Sequence, residues 1–182
     1  MEEDKKRHDE VKEKIMKLGK KLGYVAFTKV RLLNDTYSPI VDVVWFNPIY
    51  KKLYNEGGQA KKPNNVQEPL CPVEVAFEVE NSFAQWGNIQ SCIKRIEATG
   101  ANLGVIVIPW SKYERDEEIK KLKENSQNTS STRGKWGISA EQDIDNVREW
   151  LSQRDHTPRI IVLTRDEIET LFNNQVQEQN GN

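Results

Sequence analysis

The chain has 182 residues, 30% of them charged and 36% hydrophobic, and carries 27 Lys and Arg against 28 Asp and Glu. That length suits one domain with a full core, and a net charge of −1 leaves any phosphate binding to local basic patches. No apolar run approaches the roughly 18 residues of a membrane span, the charged N-terminus predicts no secretory signal, and two cysteines and two histidines make neither a disulfide framework nor a zinc site, so a cytoplasmic protein with reduced thiols is expected.

In chain order, residues 3–22 read as an amphipathic helix, with Val11, Ile15, Leu18 and Leu22 at helical spacing and Gly23 as its stop. Its many lysines are interleaved with acids, the pattern of a solvated face with a basic edge. Tyr24–Leu33 is rich in aromatic and β-branched residues and predicts a strand. A turn near Asn34 leads to Pro39–Phe46, an apolar run with one acid, Asp42, in its middle, and Asn47-Pro48 ends it. Residues 50–70 are polar, basic and interrupted by Gly and Pro, which predicts a long loop carrying Lys51, Lys52, Lys61 and Lys62. Pro72–Ser82 then alternates strictly. Val73, Val75, Phe77 and Val79 fall on one face, and Glu74, Ala76, Glu78 and Glu80 on the other, as in a strand with one wet face.

Ser82 and Gln85 form a capping box for a helix whose buried stripe is Trp86, Ile89, Ile93 and Ile96, with Gln90 and Lys94 at its border. Leu103–Trp110 is apolar on both faces, the signature of a central strand reached by a crossover helix. Residues 113–124 predict a weak charged helix and 125–138 a Ser/Thr/Asn loop. A helix opening at Ser139 buries Ile144, Val147, Trp150 and Leu151, and Arg159–Leu163 is a last buried strand. Thr164-Arg-Asp-Glu167 caps a short helix ending near Phe172. Residues 1–172 therefore read as one domain and residues 173–182 as an unstructured tail. Three strands in a meander, followed by strands joined through helices, make an α/β fold with a mixed sheet and helices on both sides.

A lone carboxylate inside Ile-Val-Asp-Val-Val is expensive to bury without a partner, so Asp42 is the strongest site candidate. Residues two apart on a strand project to one side, so Glu78 and Glu80 can share an environment with Asp42 of a neighbouring strand. Hard oxygen donors of this kind suit Mg²⁺.

The element order and these acids resemble the PD-(D/E)XK nuclease superfamily, the restriction-endonuclease-like fold, whose core is αβββαβ. Its motif places an Asp on the second strand and Asp/Glu-x-Lys on the third. Pro39-Ile-Val-Asp42 takes the first position and Glu78-Val-Glu80 the second, over roughly residues 5–110. Glu80 stands where the family usually has Lys. A minority of restriction enzymes in the superfamily are similar in using Glu-x-Glu, and in others the lysine lies on the following helix, where Lys94 is available.

The resemblance implies a Mg²⁺-dependent DNA endonuclease, with Mn²⁺ able to substitute, of a restriction or other host-defence kind and acting as a homodimer. It implies Asp42 and Glu78 as metal ligands, with Glu80 as a base or a ligand to a second metal. Glu10 on the first helix and Gln90 and Lys94 on the later one are additional candidates. Lys51, Lys52, Lys61 and Lys62, with the first helix, would give salt-dependent contact with the DNA backbone. A second reading is a nucleic-acid-binding module of the same fold that has lost catalysis along with its lysine.

Overall fold

The computed structural model describes residues 2–31, 40–49, 72–81, 86–111, 114, 117, 140–155 and 158–180. Helix α1 (Glu2–Lys21) buries Val11, Ile15 and Leu18. It ends as the N–H of Gly23, at φ 86°, bonds the Lys20 carbonyl and that of Tyr24 bonds the Gly19 carbonyl, a cap that glycine accepts without strain. Leu22 falls inside this cap and is 42% exposed, so it does not extend the buried stripe.

Strands β1 (Val25–Arg31), β2 (Ile40–Phe46) and β3 (Val73–Val79) pair antiparallel in sequence order. Helix α2 (Trp86–Glu97) crosses to β4 (Leu103–Ile108), parallel to β3. Helix α3 (Ala140–Ser152) crosses to β5 (Arg159–Thr164), parallel to β4. Helix α4 (Arg165–Asn180) follows directly. The five strands form one mixed sheet in the order β1-β2-β3-β4-β5. The fold is α/β with helices on both faces, consistent with a restriction-endonuclease-like core.

Each face has its own core. On one, Val11, Ile15 and Leu18 of α1 and Ile168 of α4 pack on Val43, Trp45, Phe77 and Val105. On the other, Ile89, Ile93 and Ile96 of α2 and Ile144, Val147 and Leu151 of α3 pack on Val44, Ala76, Ile106 and Val162. Trp150 is half-buried at the edge of this second core. Each fully buried Val, Leu or Ile contributes about 1.5–3 kcal/mol relative to exposure. β3 lies at the centre and is buried on both faces over most of its length, so it has no continuous wet face.

Two glycines bring the helices close. A Cβ on Gly19 would lie 2.5 Å from Trp45 Nε1, and one on Gly104 would lie 2.4 Å from Ile96 Cγ2. Their absence lets α1 settle on β2 and α2 on β4. At the start of α4 the expected capping box is present: the Thr164 N–H donates to Glu167 Oε2 at 2.6 Å, and the Glu167 N–H to Thr164 Oγ1 at 3.3 Å. The helix runs on to Asn180, so residues 173–180 are helical where an unstructured tail was expected. Glu and Gln propagate a helix well once it is anchored. No helix among the described residues is long and apolar enough to cross a membrane. The turn at Asn34, the loop at 50–70, Cys71, the Ser82–Gln85 capping box, the Trp86 side chain and most of 113–139 lie outside the described residues.

Candidate active site

The β2–β3 ladder runs as far as the pair Val43–Phe77, and Asp42 and Glu78 stand one residue beyond it. There Asp42 Oδ2 accepts the Val79 backbone N–H at 3.0 Å, so the side chain takes a bond the sheet would otherwise make. Helix α1 supplies the rest of its surroundings. His8 Nε2 is 3.4 Å from Asp42 Oδ2 and 3.0 Å from the Val79 carbonyl. A carbonyl only accepts, so Nε2 carries the proton. Lys12 Nζ is 3.5 Å from Asp42 Oδ1 and 3.2 Å from Asp9 Oδ1, and Lys12 is only 6% exposed. Burial pushes the Asp42 carboxyl up. The His8 contact, the Val79 N–H and the charges of His8 and Lys12 outweigh it and hold the group below the usual carboxylate range.

Glu78, on β3, is 2% exposed and is held from the other face of the sheet. Its Oε2 lies 2.8 Å from Arg95 Nη2 of α2. Its Oε1 is buried with no hydrogen-bond partner. Burial is the largest influence on this carboxyl. Arg95 opposes it, the Asp42 charge adds to it, and the group is pushed up to about 7. Adjacent acids are thus driven in opposite directions, a pattern that separates a permanent anion from a group able to hold or release a proton near neutrality.

Glu80 lies just past the end of β3, where its N–H bonds the Val107 carbonyl at 3.0 Å. Its Oε2 accepts the Cys92 thiol at 3.7 Å, and Cys92 Sγ in turn accepts from Arg95 Nη2 at 3.3 Å. Burial, then the Glu78 charge, pushes the Cys92 thiol up, so it stays a donor. Arg95 therefore ties Glu78 to Cys92, and Cys92 to Glu80.

The other expected residues stand elsewhere. Glu10 is exposed and 4.0 Å from Arg165 of α4, so it joins the α1–α4 ion pairs. Gln90 and Lys94 are exposed on α2, and the α2 residues that reach the acids are Arg95, on Glu78, and Cys92, on Glu80. Glu74 accepts a bond from Asn102 at the sheet surface. Lys51, Lys52, Lys61 and Lys62 lie outside the described residues. Sequence reasoning missed His8, Lys12 and Arg95 as site residues.

Among the described residues no group of three or more His, Cys, Asp or Glu is arranged to hold a metal ion. The three acids expected from the motif do not form such a group; Asp42 and Glu78 stand next to each other where the β2–β3 ladder ends, close enough for the Asp42 charge to act on Glu78. Mg²⁺ commonly takes one or two protein carboxylates and completes its shell with water and phosphate oxygens. An acid pair with one oxygen left buried and unpartnered fits that demand. No protein-family model matches the chain, no curated protein matches it in sequence, and no solved structure matches its fold.

Proposed function

We propose that the chain is a Mg²⁺-dependent endonuclease that hydrolyses DNA phosphodiester bonds, of the restriction or host-defence kind. The observation that carries this reading is the Asp42–Glu78 pair where β2 and β3 part, with Glu78 Oε1 buried and unpartnered. The resemblance of element order and motif to PD-(D/E)XK nucleases supports it. Asp42 and Glu78 would hold the ion, which when bound supplies a nucleophilic water near neutral pH and neutralises charge developing on phosphorus. Glu80, at the rim of the pair, accepts the proton of the attacking water as the new P–O bond forms and the ester P–O bond breaks. The leaving oxygen takes its proton from solvent. Lys51, Lys52, Lys61 and Lys62 belong to the same proposal as backbone contacts, and a homodimer as the form that cuts both strands.

A second reading has one observation in its favour. Both acids already carry basic partners, Lys12 on Asp42 and Arg95 on Glu78, as in a domain that binds nucleic acid without cutting it. Plasmid cleavage separates the two. The nuclease reading expects cutting in Mg²⁺ or Mn²⁺, reduced at least about 1,000-fold by Asp42→Ala and by Glu78→Ala. A wild-type protein that never cuts but shifts DNA in a gel with salt-sensitive affinity would put the second reading in its place.

A further inference from the structure

The third strand brings Glu80 where the motif usually has a cation, so a phosphodiester approaching Asp42, Glu78 and Glu80 meets only negative charge from these three positions of β2 and β3. Compensation has to come from the elements around them; Lys29 of β1 faces the cavity that Lys12 lines, and no ion pair joins it to Asp42 among the described residues. Lys94 is exposed on α2. Arg95 is spent on Glu78 and Cys92. Lys12 differs from both. A lysine 6% exposed is uncommon and costly unless paired, and its ammonium sits 3.5 Å from Asp42 Oδ1. It stands one helical turn after His8, so one face of α1 sets two groups on the same carboxylate. Lys12 also lines a cavity of about 370 Å³ between α1 and β1, shared with Asp9, Met16, Lys20, Thr28 and Lys29.

We infer that Lys12 is the positioning residue that supplies, through Asp42, the positive charge that position 80 lacks. The inference rests on the nuclease reading above. Lys12 fixes the direction of the Asp42 carboxylate and lowers the negative potential that a phosphate must cross to reach it. Among the described residues it also meets Asp9, 3.2 Å away, which is half-exposed and lies on the same helix.

Truncation tests this directly, because the cavity gives a small amine a route to the vacated place. In plasmid cleavage with Mg²⁺, Lys12→Ala is expected to lower kcat about 100-fold with KM for DNA within about 3-fold, and Lys12→Arg to stay within about 10-fold of wild type. Ethylammonium chloride should restore Lys12→Ala saturably. Tetramethylammonium at equal ionic strength, which has charge but no N–H, should not. Thermal melts accompany each variant, and if Lys12→Ala does not fold, Lys12→Met keeps the volume and should show the same loss of kcat. With an active wild type, a folded Lys12→Met cutting at the wild-type rate overturns the inference. So does a folded, slow Lys12→Ala that ignores ethylammonium while Lys12→Arg is equally slow, since that is the behaviour of a packing residue. A wild type that never cuts overturns the nuclease reading and this inference with it, so the two failures are distinguishable.

Discussion

On the β2 side of the divergence, Asp42 is met by an imidazole, an ammonium and a backbone N–H. On the β3 side, Glu78 is more deeply buried and has one guanidinium for one of its oxygens. The acids are chemically alike and occupy equivalent register positions, yet one is held ionised and the other is pushed up to about 7. The difference comes from burial and from what the helices set against it. Helix α1 delivers two groups to its acid, whereas α2 divides Arg95 between its acid and a thiol. A site that needs a fixed anion beside a group able to exchange a proton gets both from one hairpin in this way.

The strongest way to break this comparison is to remove the Asp42 charge. Asp42→Asn keeps the shape but leaves the Lys12 ammonium buried with half-exposed Asp9, 3.2 Å away, as its counter-charge among the described residues. Removing one of two counter-charges from a buried ion is destabilising, and the expected loss is about 2–3 kcal/mol in urea denaturation. Making Lys12→Met in the same chain should return much of that loss. Additive losses would show that the two residues do not act as a pair.

The Glu78 side behaves in the opposite sense. Its carboxyl binds a proton more tightly folded than unfolded, so the stability it contributes is complete below its ordinary 4.5 and is lost as pH rises through about 7. Asp42, held low, contributes stability that is present above its ordinary 3.8 and is lost on acidification. In buffer with EDTA, Glu78→Gln should therefore match wild type near pH 4 and exceed it at pH 8 by on the order of 2–3 kcal/mol. Denaturation curves that stay parallel across that range would mean that Glu78 carries no such penalty.

Much of this was legible in the sequence. The strands announced themselves through alternation or continuous apolar runs, and their order follows from hairpin connections first and crossovers later. Asp42 stood out because a lone acid in an apolar run demands a partner, and Glu78 because with Glu80, two residues on, it forms a Glu-x-Glu on one side of the next strand. Their partners were hidden for geometric reasons. At about 100° per residue, His8 lies about 20° from Ile15 and Lys12 about 60° from it, both bordering the buried stripe, whereas Glu10 lies about 140° away. Among so many lysines in α1, only that angle distinguishes Lys12, and it shows as burial only once the helix is docked on β2. Arg95 stands beside the buried stripe between Cys92 and Ile96, and nothing local says that it turns inward to Glu78 while Lys94 turns out. The exposed face predicted for β3 failed because alternation reports a face's polarity and not what covers it; α2 covers Glu78 and answers it with Arg95. The helix through residues 173–180 was missed because composition without apolar periodicity reads as coil.

The smallest expected effects sharpen the comparison between the two helices. Alanine at Gly19 or at Gly104 would set a Cβ at impossible distance from a neighbour: Trp45 Nε1 at 2.5 Å in the first case, Ile96 Cγ2 at 2.4 Å and Ile160 Cγ1 at 3.0 Å in the second. Overpacking of this kind costs about 1–3 kcal/mol. In α1 that cost is partly offset, because alanine is better than glycine inside a helix by about 1 kcal/mol. In β4 the compensation is smaller, because alanine is itself a poor strand former, and Ile96 is a fully buried β-branched side chain with little freedom at χ1. Gly104→Ala should therefore lower the melting temperature more than Gly19→Ala, by about 2–4 °C, which corresponds to on the order of 1 kcal/mol. The reverse order would mean that Trp45 is the less yielding neighbour. It is held by a stack on Tyr24 at 5.4 Å and by Phe77 at 4.5 Å. The grip of α1 on β2, and with it the placement of Lys12 and His8 on Asp42, would then be the more rigid of the two attachments around the acid pair.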